Sequence, residues 1–397
     1  MQTTKEKSAT RQRGTGTLVL LSHGFRPFFL FGSAYAAFAM SFWIITLRNG
    51  TQFPGLFQGV AWHSHEMIFG YLAAIIAGFI LTAVPNWTGR LPVSGKWLGL
   101  LLCVWIAGRI SIAFTQLFWV GLVIDAAFLV MLAASLWREL IAGKNWRNLP
   151  ACFLISLFAA ANVIAHLGLR FPALAGYGDR LALATVAMLI GLIGGRIVPS
   201  FTRNWMAKMG IGSLPAAFGR FDKGVLAATA TALLFWVAAP ENQYTGITLI
   251  ISGAAHLFRA MRWRGDKTLN EPIVAVLHAG YFWLALAFVM IGFTIVFPAF
   301  LDTSSSLHVL TAGAVGTMTL AIMTRATLGH TGRGISANTM TILIYYLVVI
   351  GAVIRVTAAY LPFDYILLLR IGGALWAAAF LLFGIVYGPM LAQRSRV

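Results

Sequence analysis

Two histidines and a glutamate, His63, His65 and Glu66, lie within four residues of one another at the start of a long apolar stretch. Residues 67–84 carry no charge, and eighteen such residues predict a membrane-spanning helix. Ionisable groups at the end of a span are costly unless they pair or bind something. The cluster therefore predicts a ligand or metal site, and interfacial histidines that cap a packing helix are the alternative explanation.

The helix register gives the two histidines different directions. Each residue advances a helix by about 100°, so His65 points roughly 160° away from His63 if the helix runs through both. The two imidazoles would then have different partners, whereas an extended backbone would let them share one ion. Small residues at Gly70, Ala74 and Gly78 follow on one stripe, where another helix or a flat ligand can approach closely.

Further ionisable side chains fall inside other apolar runs and map to the same, outer half of the predicted bundle. They are Arg109, Asp125, His166, His308, Arg355 and Arg370. Imidazole suits iron, copper and zinc, and a haem held by histidines needs cations near its two propionates. The other explanation for each arginine is an ion pair with a carboxylate such as Asp125 or Asp364. Three arginines in one layer with four histidines favour a cofactor.

A second group of polar residues maps to the opposite, inner half. His278 lies in one span and His330 follows another, while His23 and His256 have the positions of ordinary interfacial residues. The segments 194–205 and 324–333 are rich in Arg, Thr and Gly. They are predicted to hold an anion or a propionate, or else to contact lipid head groups.

Composition places all of these residues in a membrane protein. The chain is 59% hydrophobic and 10% charged, with a mean hydropathy of +0.82. The net charge of +18 does not indicate nucleic-acid binding, because the basic residues are spread over every predicted cytoplasmic loop. Only Arg48, Arg170 and Arg180 fall in predicted outside loops. The two cysteines form no Cys-x-x-Cys-His motif for covalent haem attachment.

The apolar runs predict an all-α, polytopic bundle of twelve transmembrane helices with both termini in the cytoplasm. The predicted spans are 27–47, 64–84, 97–117, 117–137, 151–169, 180–199, 224–239, 245–261, 272–298, 305–325, 339–361 and 363–389. Residues 27–390 form one transmembrane domain in this prediction. A basic cytoplasmic tail (1–26) precedes it, and a short cytoplasmic tail (391–397) follows.

Several sequence blocks resemble the signature segments of the NnrS family. They are GFRPFFL, WHSHEMIFGY, AGFILTAVPNWTGR, GGRIVPSFT, LHAGYFWL and MTRATLGHTGR, spread from helix one to beyond helix ten. The resemblance implies a bacterial inner-membrane protein that contains b-type haem and copper and acts in nitric oxide metabolism or tolerance. The histidines that match the family blocks are His63, His65, His278, His308 and His330.

Combined with the charge pattern, the resemblance predicts a principal metal site in the outer, periplasmic half, between helices two and ten. His65 and His308 are the expected iron ligands, His63 the expected copper ligand and Glu66 the proton-handling group. Copper held by His63 and His65 together is the alternative. Arg109, Arg355 and Arg370 are expected near propionates, with Arg355 or Arg109 first. His278 and His330 are further candidate cofactor residues.

Three function classes follow from this reading. The first is a redox protein that binds or reduces nitric oxide, with electrons from quinol or another donor in the bilayer. The second is a membrane transporter, which twelve spans with buried charges would also suit. The third is a sensor or metal-delivery protein that binds haem or copper without turnover.

Overall fold

The computed structural model describes residues 18–395, and twelve long helices make up most of that range. They are α1 (Phe25–Asn49), α2 (Gly59–Thr88), α3 (Lys96–Phe114), α4 (Phe118–Ala142), α5 (Leu149–Arg170), α6 (Pro172–Lys208), α7 (Arg220–Ala238), α8 (Gln243–Met261), α9 (Pro272–Val296), α10 (Thr303–His330), α11 (Thr339–Thr357) and α12 (Tyr365–Ala392). The all-α prediction is confirmed.

Eleven of these helices, all except α8, are long and apolar enough to cross a membrane, counted over residues 18–395. The helix α8 forms where the eighth span is predicted, but polar residues lower its hydropathy. It runs antiparallel along α9: Gly246 at its start packs against Gly292, and Gly253, further along α8, packs against Ala285 nearer the start of α9. The cytoplasmic location of both termini stays a prediction.

The break between α3 and α4 falls at residues 115–117, where the third and fourth predicted spans meet. Thr115 and Leu117 both have extended backbone, and Thr115 ends α3 with a bond from its N–H to Ser111 O. One apolar stretch is thereby divided into two helices that pack against each other.

Three helices widen into a π-helical stretch near their middle or outer end. These stretches are Glu66–Leu72 in α2, Ile190–Gly194 in α6 and Val309–Val315 in α10. A π-helical turn bonds residue i to i+5 rather than i+4, and such turns often occur at functional sites. All three helices line one apolar inner groove, and each stretch contributes a residue to it: Leu72, Ile190 and Val315.

The start of α1 is fastened to the end of α12. Arg26 is buried, and its guanidinium donates to the backbone oxygens of Leu391 (2.7 Å) and Gln393 (2.6 Å). The last carbonyls of a helix lack intrahelical partners and carry partial negative charge, which a guanidinium satisfies. Arg26 therefore lies inside the bundle, although it was assigned to the predicted tail. Residues 1–17 of that tail, and residues 396–397, lie outside the described residues.

Close packing of α1 on α2 uses the predicted stripe of small residues. A side chain at Gly78 would come within 2.8 Å of the Phe29 ring, and Gly32 of α1 packs against Ala74 and Ile75. The stripe therefore admits a neighbouring helix, one of the two partners that the sequence predicts. The outer half (the end with His63 and His308) and the inner half (the end with Arg196 and His330) are the two ends of these helices.

Candidate functional site

The outer end of α2 carries the two histidines on opposite sides. The α-helical segment Gly59–His65 runs through both histidines, so their side chains point in different directions, as predicted for a helical backbone. His65 is fully buried against α4 and α5, whereas His63 is half-buried and faces α10. A single ion held by His63 and His65 together does not fit this geometry.

A buried ion network surrounds Arg109 of α3. Its guanidinium donates to Glu66 Oε1 (2.6 Å) and, through a very short contact, to Asp125 Oδ1. His65 Nδ1 lies 3.2 Å from Glu66 Oε1, and His166 Nε2 lies 3.0 Å from Asp125 Oδ2. Each of these five side chains is less than one-tenth exposed. Arg109 is thus paired with carboxylates. Of the two explanations that the sequence offered for it, an ion pair or a propionate contact, the structure shows the ion pair.

With both histidines neutral, the network lacks one positive charge. Glu66 and Asp125 together carry two negative charges, and Arg109 supplies only one positive charge. If His65 donates Nδ1–H to Glu66, its Nε2 lone pair faces Asp125 Oδ2 at 3.2 Å, an acceptor against an acceptor. The Nε2 of His65 has no hydrogen-bond partner. Either a proton on His65 or a metal cation completes the network.

The donor atoms are close enough for the second possibility. His65, Asp125 and His166 each offer one ligand atom, and these atoms lie within 4.8 Å of one another. Two imidazole nitrogens and a carboxylate oxygen suit Cu, Zn or Fe. Of these three residues, the sequence prediction assigned only His65 to the metal, and Asp125 and His166 were recognised only as charges in the same layer.

Tyr35 and Asn162 complete the network and were missed by sequence analysis. The Tyr35 hydroxyl donates to Glu66 Oε2 in a very short contact, and Asn162 Nδ2 donates to Asp125 Oδ2 at 3.0 Å. Each is an uncharged polar residue within a mostly apolar helix, α1 or α5. Nothing in its local sequence indicates that its partner lies on another helix.

The opposite face of α2 presents His63 to His308 of α10. The two imidazole rings are parallel within 6°, with centroids 6.4 Å apart, and Trp43 stacks on His63 at 4.7 Å. His308 Nδ1 donates to the backbone oxygen of Ser304 (2.7 Å), which leaves Nε2 available, and His63 Nδ1 is buried without a partner. His308 therefore pairs with His63, and the predicted pairing of His65 with His308 is not present.

The two remaining arginines of the outer half are half-buried and have unused donors. Arg355 donates from NH2 to Ser304 Oγ at 2.5 Å, and its NH1 is buried without a partner. The Nε of Arg370 is also buried and unpartnered. Because Ser304 bonds both Arg355 and His308, the free Arg355 donor lies beside the His63–His308 pair.

The inner half contains a cavity of about 450 Å³. Arg196 from the first predicted anion-binding segment and Arg325 and His330 from the second all line it. The two segments are therefore brought together at one cavity, and their binding of an anion stays a prediction. His278 does not line the cavity, since its Nε2 bonds Thr202 Oγ1 at 2.7 Å.

A second buried network connects α7, α8 and α9. His256, taken from sequence as an interfacial residue, is fully buried and bonds Thr229 Oγ1 (2.9 Å) and the Tyr281 hydroxyl (2.7 Å). Arg259 donates to Asp222 Oδ1 at 2.8 Å. The partners come from other helices, so the sequence of α8 alone does not reveal them. Both ring nitrogens of His256 are hydrogen-bonded, which indicates a structural role for this imidazole.

Replacing Gly70 with Ala is expected to destabilise the protein, because the network occupies the space beside this glycine. A Cβ there would lie 2.7 Å from Glu66 Oε2 and 2.9 Å from Arg109 NH1. Overpacking of this kind costs about 1–3 kcal/mol. Thermal unfolding in detergent measures it, with Gly99→Ala as the control, because a Cβ at Gly99 meets only a flexible Leu21 methyl at 3.4 Å. Equal or higher stability of Gly70→Ala would contradict the described packing.

Comparison with known proteins gives one match. The family model described as NnrS protein matches residues 19–395, nearly the whole chain. No curated protein and no solved structure matches the chain.

Proposed function

Because this chain belongs to the NnrS family, whose members are membrane proteins of the nitric oxide response, we propose that it binds copper and haem b inside the bundle and uses them to bind or reduce nitric oxide. The proposed location is the bacterial inner membrane, whose bilayer would also hold an electron donor such as quinol. The multi-pass helical fold and the buried histidines of the outer half support the proposal.

One observation carries the copper assignment: the network around Arg109 is one positive charge short, and three metal-type donors meet at that point. His65 Nε2 has no hydrogen-bond partner although it is fully buried. A cation ligated by His65, Asp125 and His166 would remove the contact between two acceptors. Imidazole nitrogen is a preferred ligand of copper, and the chain's two cysteines are not in this cluster.

The haem assignment concerns the other face of α2. His63 and His308 present parallel rings from two helices, with centroids 6.4 Å apart, and their ring nitrogens would be the ligands of the haem iron. The unpartnered NH1 of Arg355 offers a donor for a propionate. These residues would hold the haem without a covalent bond, since no Cys-x-x-Cys-His motif is present.

The chain's own residues would manage protons. Reduction of two nitric oxide molecules to nitrous oxide and water consumes two electrons and two protons, and a quinol-type donor would supply both. A bound haem iron or copper supplies the site for nitric oxide and the electron transfer. Glu66 accepts from the Tyr35 hydroxyl on one oxygen and contacts His65 on the other, so it is placed to pass a proton toward His65.

A protein that binds nitric oxide or metal without turnover is the second candidate, and the burial of the network favours it. His65, Glu66, Asp125 and His166 are at most 1% exposed. Such a centre suits a sensor or a metal-delivery protein as well as an enzyme. A transporter is the third class, and it predicts purified protein without a Soret band.

The purified protein is expected to contain haem b and copper, and nitric oxide is expected to shift its visible spectrum. The pyridine haemochrome assay measures haem type, and elemental analysis measures the ratio of iron to copper. Consumption of nitric oxide with an added reductant separates the enzyme from the binding protein. A variant with both His63 and His308 replaced by Ala serves as the matched sample that should lose the haem signal. Well-folded protein without haem and without copper would overturn the proposal.

A further inference from the structure

The inner cavity carries three guanidinium groups that no carboxylate among residues 18–395 pairs with. Arg147, Arg196 and Arg325 all line it, and none of them forms an ion pair within 4.0 Å with a described residue. Arg196 donates to Asn148 Oδ1 at 3.3 Å, and Arg325 lies over the Phe201 ring at 3.7 Å. Glu271 is near enough to attract Arg325 without pairing with it.

Two of these charges repel each other, since Arg147 acts on Arg196 as a neighbouring like charge. Arg147 is exposed, and Arg196 and Arg325 are half-buried. Three positive charges lining a concave site raise the local concentration of anions. Guanidinium binds phosphate and carboxylate groups through paired, parallel hydrogen bonds. The charge pattern therefore indicates an anionic group as the ligand of this site.

Most of the remaining lining of the cavity is apolar, and this apolar part leads toward the middle of the bundle. Phe79, Ile193 and Ile322 line both the cavity and an adjoining groove of about 80 Å³. The groove is formed by α2, α6 and α10, and no charged residue lines it. A ligand that fills both spaces must have a charged end and an apolar body.

We infer that this cavity binds an amphiphile whose acidic head group contacts Arg147, Arg196 and Arg325 and whose apolar body lies against Phe79, Ile193 and Ile322. Its volume of about 450 Å³ is within the usual range of roughly 300–1,000 Å³ for ligand sites. Two sources offer this chemistry: the phosphate of an anionic membrane phospholipid, and the carboxylates of a haem. Basic pockets between transmembrane helices bind anionic head groups of the first kind.

The site is separate from the outer metal centre. On α10, His308 lies about 20 Å from Ile322 at 1.5 Å per residue. The inference therefore does not require metal at His65, Asp125 and His166. Copper content reports on the outer site and bound amphiphile reports on the inner one, so the two proposals can fail independently.

The test compares two triple variants of the full chain. One replaces Arg147, Arg196 and Arg325 with Gln, and the control replaces three exposed charges near the same ends of the helices, Lys208, Arg220 and Lys223, with Gln. Native mass spectrometry after a detergent wash counts bound phospholipid, and the haemochrome assay counts haem. We expect the cavity variant to lose one of these molecules by at least about tenfold, and the control to retain it.

A second variant protects the test against failure of the triple variant to fold. Ile193→Trp keeps all three arginines and fills the junction of cavity and groove, so it is expected to displace the same molecule. Loss of phospholipid identifies a lipid site, and loss of haem identifies a haem site. The inference is overturned if both variants retain phospholipid and haem at the wild-type level. It is also overturned if wild-type protein carries neither and takes up neither haem nor phosphatidylglycerol from nanodiscs.

Discussion

Replacing Arg109 with Gln is expected to destabilise the protein by about 3–5 kcal/mol, because two buried carboxylates would lose their shared cation. Arg109 donates to Glu66 at 2.6 Å and also to Asp125, and both carboxylates are at most 1% exposed. Thermal or denaturant unfolding in detergent measures the loss. A much lower yield of folded protein is the corresponding result in cells.

Arg90→Gln is the matched control for that experiment. Arg90 also pairs with a carboxylate, Glu139 at 2.5 Å, but its side chain is 46% exposed, so the pair is expected to contribute at most about 1 kcal/mol. A double variant with Glu66→Gln and Arg109→Gln should recover part of the stability, since one unpaired charge is removed. Equal effects of Arg109→Gln and Arg90→Gln would contradict a central role for the buried network.

Replacing Asp125 with Asn is expected to lower copper affinity by at least about 10–100-fold, the range measured when groups around a metal site are removed. Asp125 is the residue that His65, His166, Asn162 and Arg109 all contact. Asn keeps the size of the side chain but removes the charge that a cation needs. Copper per chain, measured by elemental analysis over a copper titration, gives the affinity.

Asp222→Asn controls for the general effect of removing a buried carboxylate. Asp222 is 2% exposed and pairs with Arg259. This pair belongs to the network of α7, α8 and α9, which contains none of the histidines of α2 and α10. It should lower stability and leave copper affinity unchanged. If Asp125→Asn binds copper as wild type does, the ion lies elsewhere, and His63 and His308 are the next pair to test.

The helices could be predicted from the sequence because their signal is local. A run of apolar residues long enough to cross a bilayer has few alternatives, and the polar residues that end each run set its limits. The divergence of His63 and His65 is also a local property, since it follows from the rotation per residue of a helix. Both predictions needed no information about neighbouring helices.

The partners of the ionisable residues depend on packing, and there the sequence left alternatives. Arg109 had two explanations, a propionate or a carboxylate, and only the approach of α2, α3 and α4 decides for Glu66 and Asp125. The choice of partner for His308 likewise depends on which face of α2 meets α10. The sequence predicts Arg26 in the basic tail and His256 at an interface, because their partners, at the end of α12 and on α7 and α9, are distant in sequence.

The three π-helical stretches have a consequence for how this chain tolerates insertions and deletions. An i to i+5 turn accommodates one residue more than an α-helical turn, so each stretch in α2, α6 and α10 can absorb one extra residue. An extra residue in a regular α-helix would rotate its two halves against each other by about 100°. The wider turn absorbs that rotation, so a one-codon deletion within a stretch is expected to leave the outer histidines and the faces that line the inner groove in place. The same deletion elsewhere in these helices would turn one set away from the other.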